Sequence, residues 1–106
     1  MAVSVDFFAR FLTAFSGINF SADDLMKVGE RTWNLERLYN MREGFSQADD
    51  TLPERLLSEP VAAGPSQGHT VRLAGMLAEY YQFRGWDERG VPRAAKLREL
   101  GLGELL

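Results

Sequence analysis

The stretch Gly29–Gly44, GERTWNLERLYNMREG, constrains the fold of this chain more than any other part of it. It reads as helix, yet its apolar side chains point in several directions, with Arg31, Arg37, Arg42, Asn34 and Asn40 threaded among them. A surface helix normally segregates its polar residues to one face. A helix that mixes them is expected to be covered on more than one side, with its polar groups paired internally. The Arg and Asn residues are therefore expected to pair in the interior and not to catalyse.

The flanking signals place this helix and its neighbours. Ser21 is a good N-cap, and Asp24 three positions on completes a capping-box variant, with Asp23 and Asp24 against the positive helix end. Phe20 and Leu25 match a hydrophobic staple, and Gly44 is the expected stop. Before it, a first helix is expected from about Val3 to Ser16. Phe8, Phe11, Leu12 and Phe15 share one face, Phe7 widens it, and Gly17 ends it. After it, Thr51-Leu52-Pro53 takes Leu52 out of helical geometry, and Pro53 opens a short helix, Glu54 to Ser58. Pro60, Gly64, Pro65 and Gly68 make the rest of 45–69 a long irregular connection. Such loops are functional, flexible or pinned against a neighbour. A third long helix is expected from about Val71 to Arg84, capped by Thr70 and ended by Gly85. A turn at Trp86–Gly90 follows, then a short helix opened by Pro92 and stopped at Gly101. No strand alternation and no internal repeat is visible. The predicted class is all-α, about four helices and one long irregular loop, with residues 1–106 as a single helical, partial domain.

Composition excludes several functions. The hydrophobic fraction of 45% is that of a folded chain, although at 106 residues its own core is modest. A net charge of −3 argues against a duplex nucleic-acid binder and a helix-turn-helix regulator, which need a basic face. No apolar run approaches the ~20 residues that span a bilayer. Val3–Phe15 lacks a basic start and a cleavage site, so it does not read as a signal peptide. The absence of cysteine excludes a disulfide framework, a thiol nucleophile and a cysteine-ligated zinc or iron–sulfur site within these residues. It also fits a reducing compartment, and a cytoplasmic location is the expectation.

No constellation rises to a site. Asp49 and Asp50, with Glu43 and Glu54 near in sequence, suggest a cation or acid/base centre. Adjacent carboxylates seldom converge on one ligand, and Asp50 is expected to brace its turn, paired with Arg55. Arg31, Arg37 and Arg42 do not share a face and are expected to form ion pairs with Glu30, Glu36, Glu43 or acids elsewhere. His69 has no visible nucleophile beside it. Tyr80, Tyr81, Phe83 and Trp86 are expected to be core packing more than an aromatic cage. Gly64–Gly68 has neither the preceding strand nor the Gly-Lys-Ser/Thr of a phosphate loop. No residue is assigned a catalytic, cofactor-binding or metal role.

Gly29–Asn40, Arg42-Glu43-Gly44, Asp49–Arg55, Glu59-Pro60, Gly64-Pro65, Gly68–Leu73, Met76-Leu77, Tyr80-Tyr81, Arg84-Gly85-Trp86 and Lys96–Gly101 together resemble the C-terminal region of the tungsten-containing aldehyde ferredoxin oxidoreductases. The resemblance runs in order along essentially the whole chain. It implies an enzyme several times longer, with an N-terminal domain binding a tungsten (or molybdenum) bis-pterin, two mostly helical domains and a four-iron, four-sulfur cluster held by four cysteines. By the register of the resemblance, the fourth cysteine falls a few residues before Met1, and the acid/base residues and pterin contacts lie upstream. The implied reaction is oxidation of an aldehyde to a carboxylic acid, with electrons passing through the cluster to ferredoxin. This chain is then expected to brace the cofactor-bearing segment and to be inert alone. A stand-alone helical module docking on a cofactor-bearing partner is the rival expectation. In either case parts of the first two helices would face other protein, and the isolated chain is expected to self-associate, as a homodimer through those helices.

Overall fold

Local signals set most helix ends in the computed structural model, which describes residues 4–105. Helix α1 spans Val5–Ser16, with Ser4 as N-cap accepting from the Phe7 amide and left-handed Gly17 closing it. The expected start at Val3 lies outside the described residues. Helix α2 spans Ala22–Arg42 and carries both arms of the Ser21/Asp24 capping box. It stops two residues before the expected Gly44, whose amide donates to the Met41 carbonyl at 3.1 Å. A 3-10 turn at Gln47–Asp49 has its own Ser46/Asp49 capping box. Helix α3 is Glu54–Ser58, as Pro53 predicts. Helix α4, Leu73–Arg84, starts later than expected and has no side-chain cap, so Thr70 does not serve as one. The reason is tertiary: the Val71 amide donates to the Leu56 carbonyl at 3.1 Å, holding the approach against α3. Helix α5 is Ala94–Glu99, followed by a 3-10 turn at Gly103–Leu105. Among the described residues there is no strand, only isolated bridges between Val61 and Gln67 and between Trp86 and Pro92.

Packing is uneven. Leu97, Leu100 and Leu102 form the buried apolar cluster, with Leu38 of α2 against it. Tyr81, Trp86 and Asn34 are also buried. Helix α1 packs against α2 with Ala9 buried, and the Thr13 hydroxyl accepts from the amide of Phe20, in the connection between them, at 2.9 Å. Much of α1 is open: Phe7, Phe8, Phe11 and Phe15 are exposed, as is Ile18 just after it.

Helix α2 departs from the expectation that it is covered on several sides. Within this chain its most deeply covered stripe is largely polar. Glu30, Asn34, Arg37 and Leu38 follow helical spacing and face the C-terminal segment, whereas Met26, Val28, Trp33, Leu35 and Tyr39 are exposed. The radius of gyration is 18.0 Å, against about 13 Å for a compact chain of this length. The chain is an open assembly of helices around one small core.

Candidate functional site

The polar stripe of α2 is where distant parts of the chain meet. The turn after α4 is built locally: Asp87 accepts from the Arg89 amide at 2.8 Å and the Val91 amide at 3.1 Å. These bonds hold the Asp87 carboxyl below its ordinary range. Left-handed Gly90 completes the turn, its amide donating to the Asp87 carbonyl at 2.9 Å. The turn presents two groups to α2. The Gly90 carbonyl accepts from Arg37 Nε at 3.0 Å, and the Trp86 indole N–H donates to Asn34 Oδ1 at 2.8 Å. One turn of α2 earlier, Glu30 pairs with Lys96 of α5 at 3.0 Å. The Asn34 amide nitrogen donates back to the Glu30 carbonyl at 2.8 Å.

Asp50, at the end of the Gln47–Asp49 turn, closes the network. Both its oxygens accept from the Arg37 guanidinium, at 2.7 and 2.6 Å, a bidentate pair. Its Oδ2 also accepts from the Tyr81 hydroxyl. Arg37 lies over the Trp86 ring, 4.9 Å from its centroid. The guanidinium beside Asp50 holds the carboxyl below its ordinary range, with the Tyr81 hydroxyl adding to the effect against a burial penalty. Asp50 in turn raises Arg37. Burial, then the hydrogen bond to Asp50, pushes the Tyr81 hydroxyl up to about 12.

These directions define the chemistry. At neutral pH Asp50 is ionised, Arg37 charged and Tyr81 protonated, so none of them is poised to exchange a proton near pH 7. Among the described residues no buried side-chain nitrogen or oxygen lacks a hydrogen-bond partner. The arrangement is a strut that ties α2, the 45–52 segment and the C-terminal turn together. The expectation that Asp50 pairs with Arg55 is corrected: Arg55 pairs instead with Glu59, four residues on, at the end of α3, at 3.3 Å. Asp50 reaches Arg37 because its turn folds back along α2.

The other candidates stay apart. Asp49 is used by its own capping box, accepting from the Ser46 amide at 2.8 Å, and does not converge with Asp50 on a shared ligand. Arg31 and Arg42 are exposed and do not join Arg37. Asn34 is buried and paired, whereas Asn40 is exposed. His69 is exposed in a loop whose backbone bonds to itself. Of the aromatic group, Tyr81 and Trp86 are core, Tyr80 half-buried and Phe83 exposed. Sequence reasoning missed the Asn34–Trp86 bond, the Glu30–Lys96 pair and the closeness of Gly90 to Arg37. The one signal for them was the spacing of Glu30, Asn34 and Arg37 along a single helical stripe.

The donor set bears on metal binding. An iron–sulfur cluster with four cysteine ligands needs thiolates, and this sequence has none. Among the described residues no group of three His, Asp or Glu side chains is placed to hold a metal ion. Among them also, no helix is long and apolar enough to cross a membrane.

Residues 1–102 match the family model described as aldehyde ferredoxin oxidoreductase, domains 2 & 3. The tungsten-containing aldehyde ferredoxin oxidoreductase of Pyrococcus furiosus is 48% identical over 103 residues, 96% of this chain and 17% of the relative. That of Pyrococcus horikoshii is 48% identical over 105 residues, 98% of this chain and 17% of the relative. Among solved structures, the active-site complex BamBC of benzoyl coenzyme A reductase, in complex with 1,5-dienoyl-CoA, superposes with a TM-score of 0.77 at 26% identity. The match covers 97% of this chain and 14% of that one. The chain thus spans about a sixth of the length of the curated relatives it matches. It belongs to the aldehyde ferredoxin oxidoreductase family, in the region of that family's domains 2 and 3.

Proposed function

We propose that residues 1–106 act as one helical, non-catalytic part of an aldehyde ferredoxin oxidoreductase, bracing the cofactor-bearing remainder and walling the approach to its centre. The observation that carries this reading is the inverted α2. Its Glu30, Asn34 and Arg37 are satisfied inside the chain, while Met26, Val28, Leu35 and Tyr39 of α2 and the phenylalanines of α1 are left exposed. Apolar surface of that extent is normally covered by other protein, and the chain's expanded radius supports the same reading. In the whole enzyme, an aldehyde and water would give a carboxylic acid, two protons and two electrons. A tungsten or molybdenum bis-pterin would supply the redox centre, and a four-iron, four-sulfur cluster would relay the electrons to ferredoxin, in the cytoplasm. This chain's residues offer no thiolate for the cluster, and Arg37, Asp50 and Tyr81 are each held by their partners in one protonation state at neutral pH. Their part is mechanical: Arg37, Asp50 and Tyr81 lock the C-terminal turn onto α2, which keeps the outer apolar surface in register for docking.

Purified alone, the chain is expected to contain neither tungsten nor iron and to reduce no viologen dye with an aldehyde. Bound cluster or turnover overturns the proposal. The same docking would serve a separate cofactor-bearing chain, and co-purification from the native host separates that reading from a single long polypeptide. Without either, the exposed faces of α1 and α2 are proposed to pair two copies.

A further inference from the structure

The Tyr80 hydroxyl is only half satisfied. It accepts from Trp33 Nε1 at 2.7 Å and from Arg84 Nε at 3.2 Å. Indole and guanidinium nitrogens only donate, so both lone pairs of the oxygen are used and its own proton must go elsewhere. Among the described residues nothing accepts it. Arg84 is in the same position. Its guanidinium is held 5.3 Å from the Tyr80 ring centroid, 5.4 Å from that of Trp33 and 5.7 Å from that of Phe83. Its Nε is taken by Tyr80, yet its two terminal nitrogens meet no acceptor and no carboxylate among the described residues. Glu36 lines the hollow beside Trp33 and Tyr80 but pairs with neither Arg84 nor Tyr80. A fixed cation and a free hydroxyl proton on an aromatic floor, all donors, call for an anionic acceptor.

We propose that Tyr80, Arg84, Trp33 and Phe83 form a docking point for a carboxylate side chain of the polypeptide that completes the oxidoreductase. The identity of that occupant rests on the function proposed above; the preference for a carboxylate does not. A protein partner fits better than a small acid. Small-molecule sites enclose most of their ligand, whereas here Phe83 is 76% and Trp33 45% exposed. An open rim rich in Trp, Tyr and Arg is the composition of interface hot spots, and relatives carry about five times as much chain beyond the part present here.

The test is a nuclear magnetic resonance titration of the full chain, reading the Trp33 indole and Arg84 Nε–H signals. The probes are N-acetyl-Asp-Phe-amide, its Asn counterpart and free benzoate. The Asp peptide is expected to shift both signals saturably, and the Asn peptide to bind about tenfold more weakly. Arg84→Gln should bring the two peptides level while leaving the Trp86 indole signal in place as a check on the fold. Arg84→Lys should keep part of the preference, since the charge remains and the fork is lost. Equal binding of the two peptides, or no shift with either, overturns the proposal. Benzoate binding as tightly as the Asp peptide also overturns it, in favour of a site for small carboxylates. Failure of the family-level function would show in the metal and turnover assays and leave this titration unaffected.

Discussion

The two ends of α2 belong to differently built halves of the molecule. Toward the C-terminal segment, Asn34, Arg37, Asp50, Tyr81 and Trp86 form a network in which each group is another's partner, and Leu38 packs against the Leu97–Leu102 cluster. Toward α1, the chain packs the two helices together with Ala9 buried and Thr13 bonded to Phe20, but offers most of the α1 phenylalanines to solvent. The contrast separates what this chain stabilises by itself from what it leaves for a neighbour. Substitutions should be costly on the first side and nearly silent on the second.

Asp50→Ala should have the largest effect. It removes both acceptors of the Arg37 guanidinium and the acceptor of the Tyr81 hydroxyl. The Arg37 side chain is 13% exposed, so its charge would be left largely buried with no counter-charge and only the Gly90 carbonyl to accept from it. The loss should be about 3 kcal/mol, read by urea unfolding. A loss under about 1 kcal/mol, typical of surface pairs, would move this network to the silent side of the comparison.

Gly90→Ala should follow, at about 2 kcal/mol. Gly90 has φ +72°, and a Cβ there would strike Arg37 Nη2 and lie 2.8 Å from Tyr81 Cζ. Arg37 is held by three hydrogen bonds and cannot swing aside without breaking them.

The network also fixes the pH range of stability. The folded-state pKa of Asp50 is depressed below 3.8. Its contribution is therefore present above pH 3.8 and is lost as pH falls through the folded value. Tyr81 is raised from 10.0 to about 12. Its contribution is present below pH 10 and is lost as pH rises toward 12. Urea midpoints against pH should fall at both limbs, and Tyr81→Phe should flatten the alkaline one. An unchanged alkaline limb would show that Tyr81 is not the group responsible.

What the sequence discloses divides along the same line. The Ser21/Asp24 box, the Pro53 start of α3 and the Gly17 and Gly85 stops are all legible, because a helix end is decided within four residues. Arg37–Asp50 and Asn34–Trp86 are not. The second joins positions 52 apart, and nothing local says which side of α2 the C-terminal turn will cover. The mixed character of Gly29–Gly44 signals interior polar pairing correctly for Asn34 and Arg37 but not for Arg31, Asn40 and Arg42, which are exposed. It does not say which coverage comes from this chain, since a helix that pairs Glu30, Asn34 and Arg37 internally and exposes Met26, Val28, Leu35 and Tyr39 gives the same sequence pattern as one enclosed all round. The Thr70 cap fails for a similar reason, the backbone bond from Val71 to Leu56 overriding a sound local signal.

The smallest effect on stability is expected on α1, and it is the sharpest probe of the contrast. Phe15 is 83% exposed and touches its neighbour Phe11 in a stacked pair, so truncating either removes little buried area. Phe11→Gln with Phe15→Gln should change stability by no more than about 0.5 kcal/mol. Glutamine is also a better helix former than phenylalanine, which offsets part of even that. If those rings instead serve to meet other protein, the same double variant should shift sedimentation of the isolated chain toward monomer at high concentration. A stability loss above about 1 kcal/mol would mean that the α1 face is packed within the chain. Sedimentation that does not change would mean that the rings are not the surface through which copies associate. Only silence in stability together with loss of association keeps the two halves distinct, one supporting itself and the other completed by a partner.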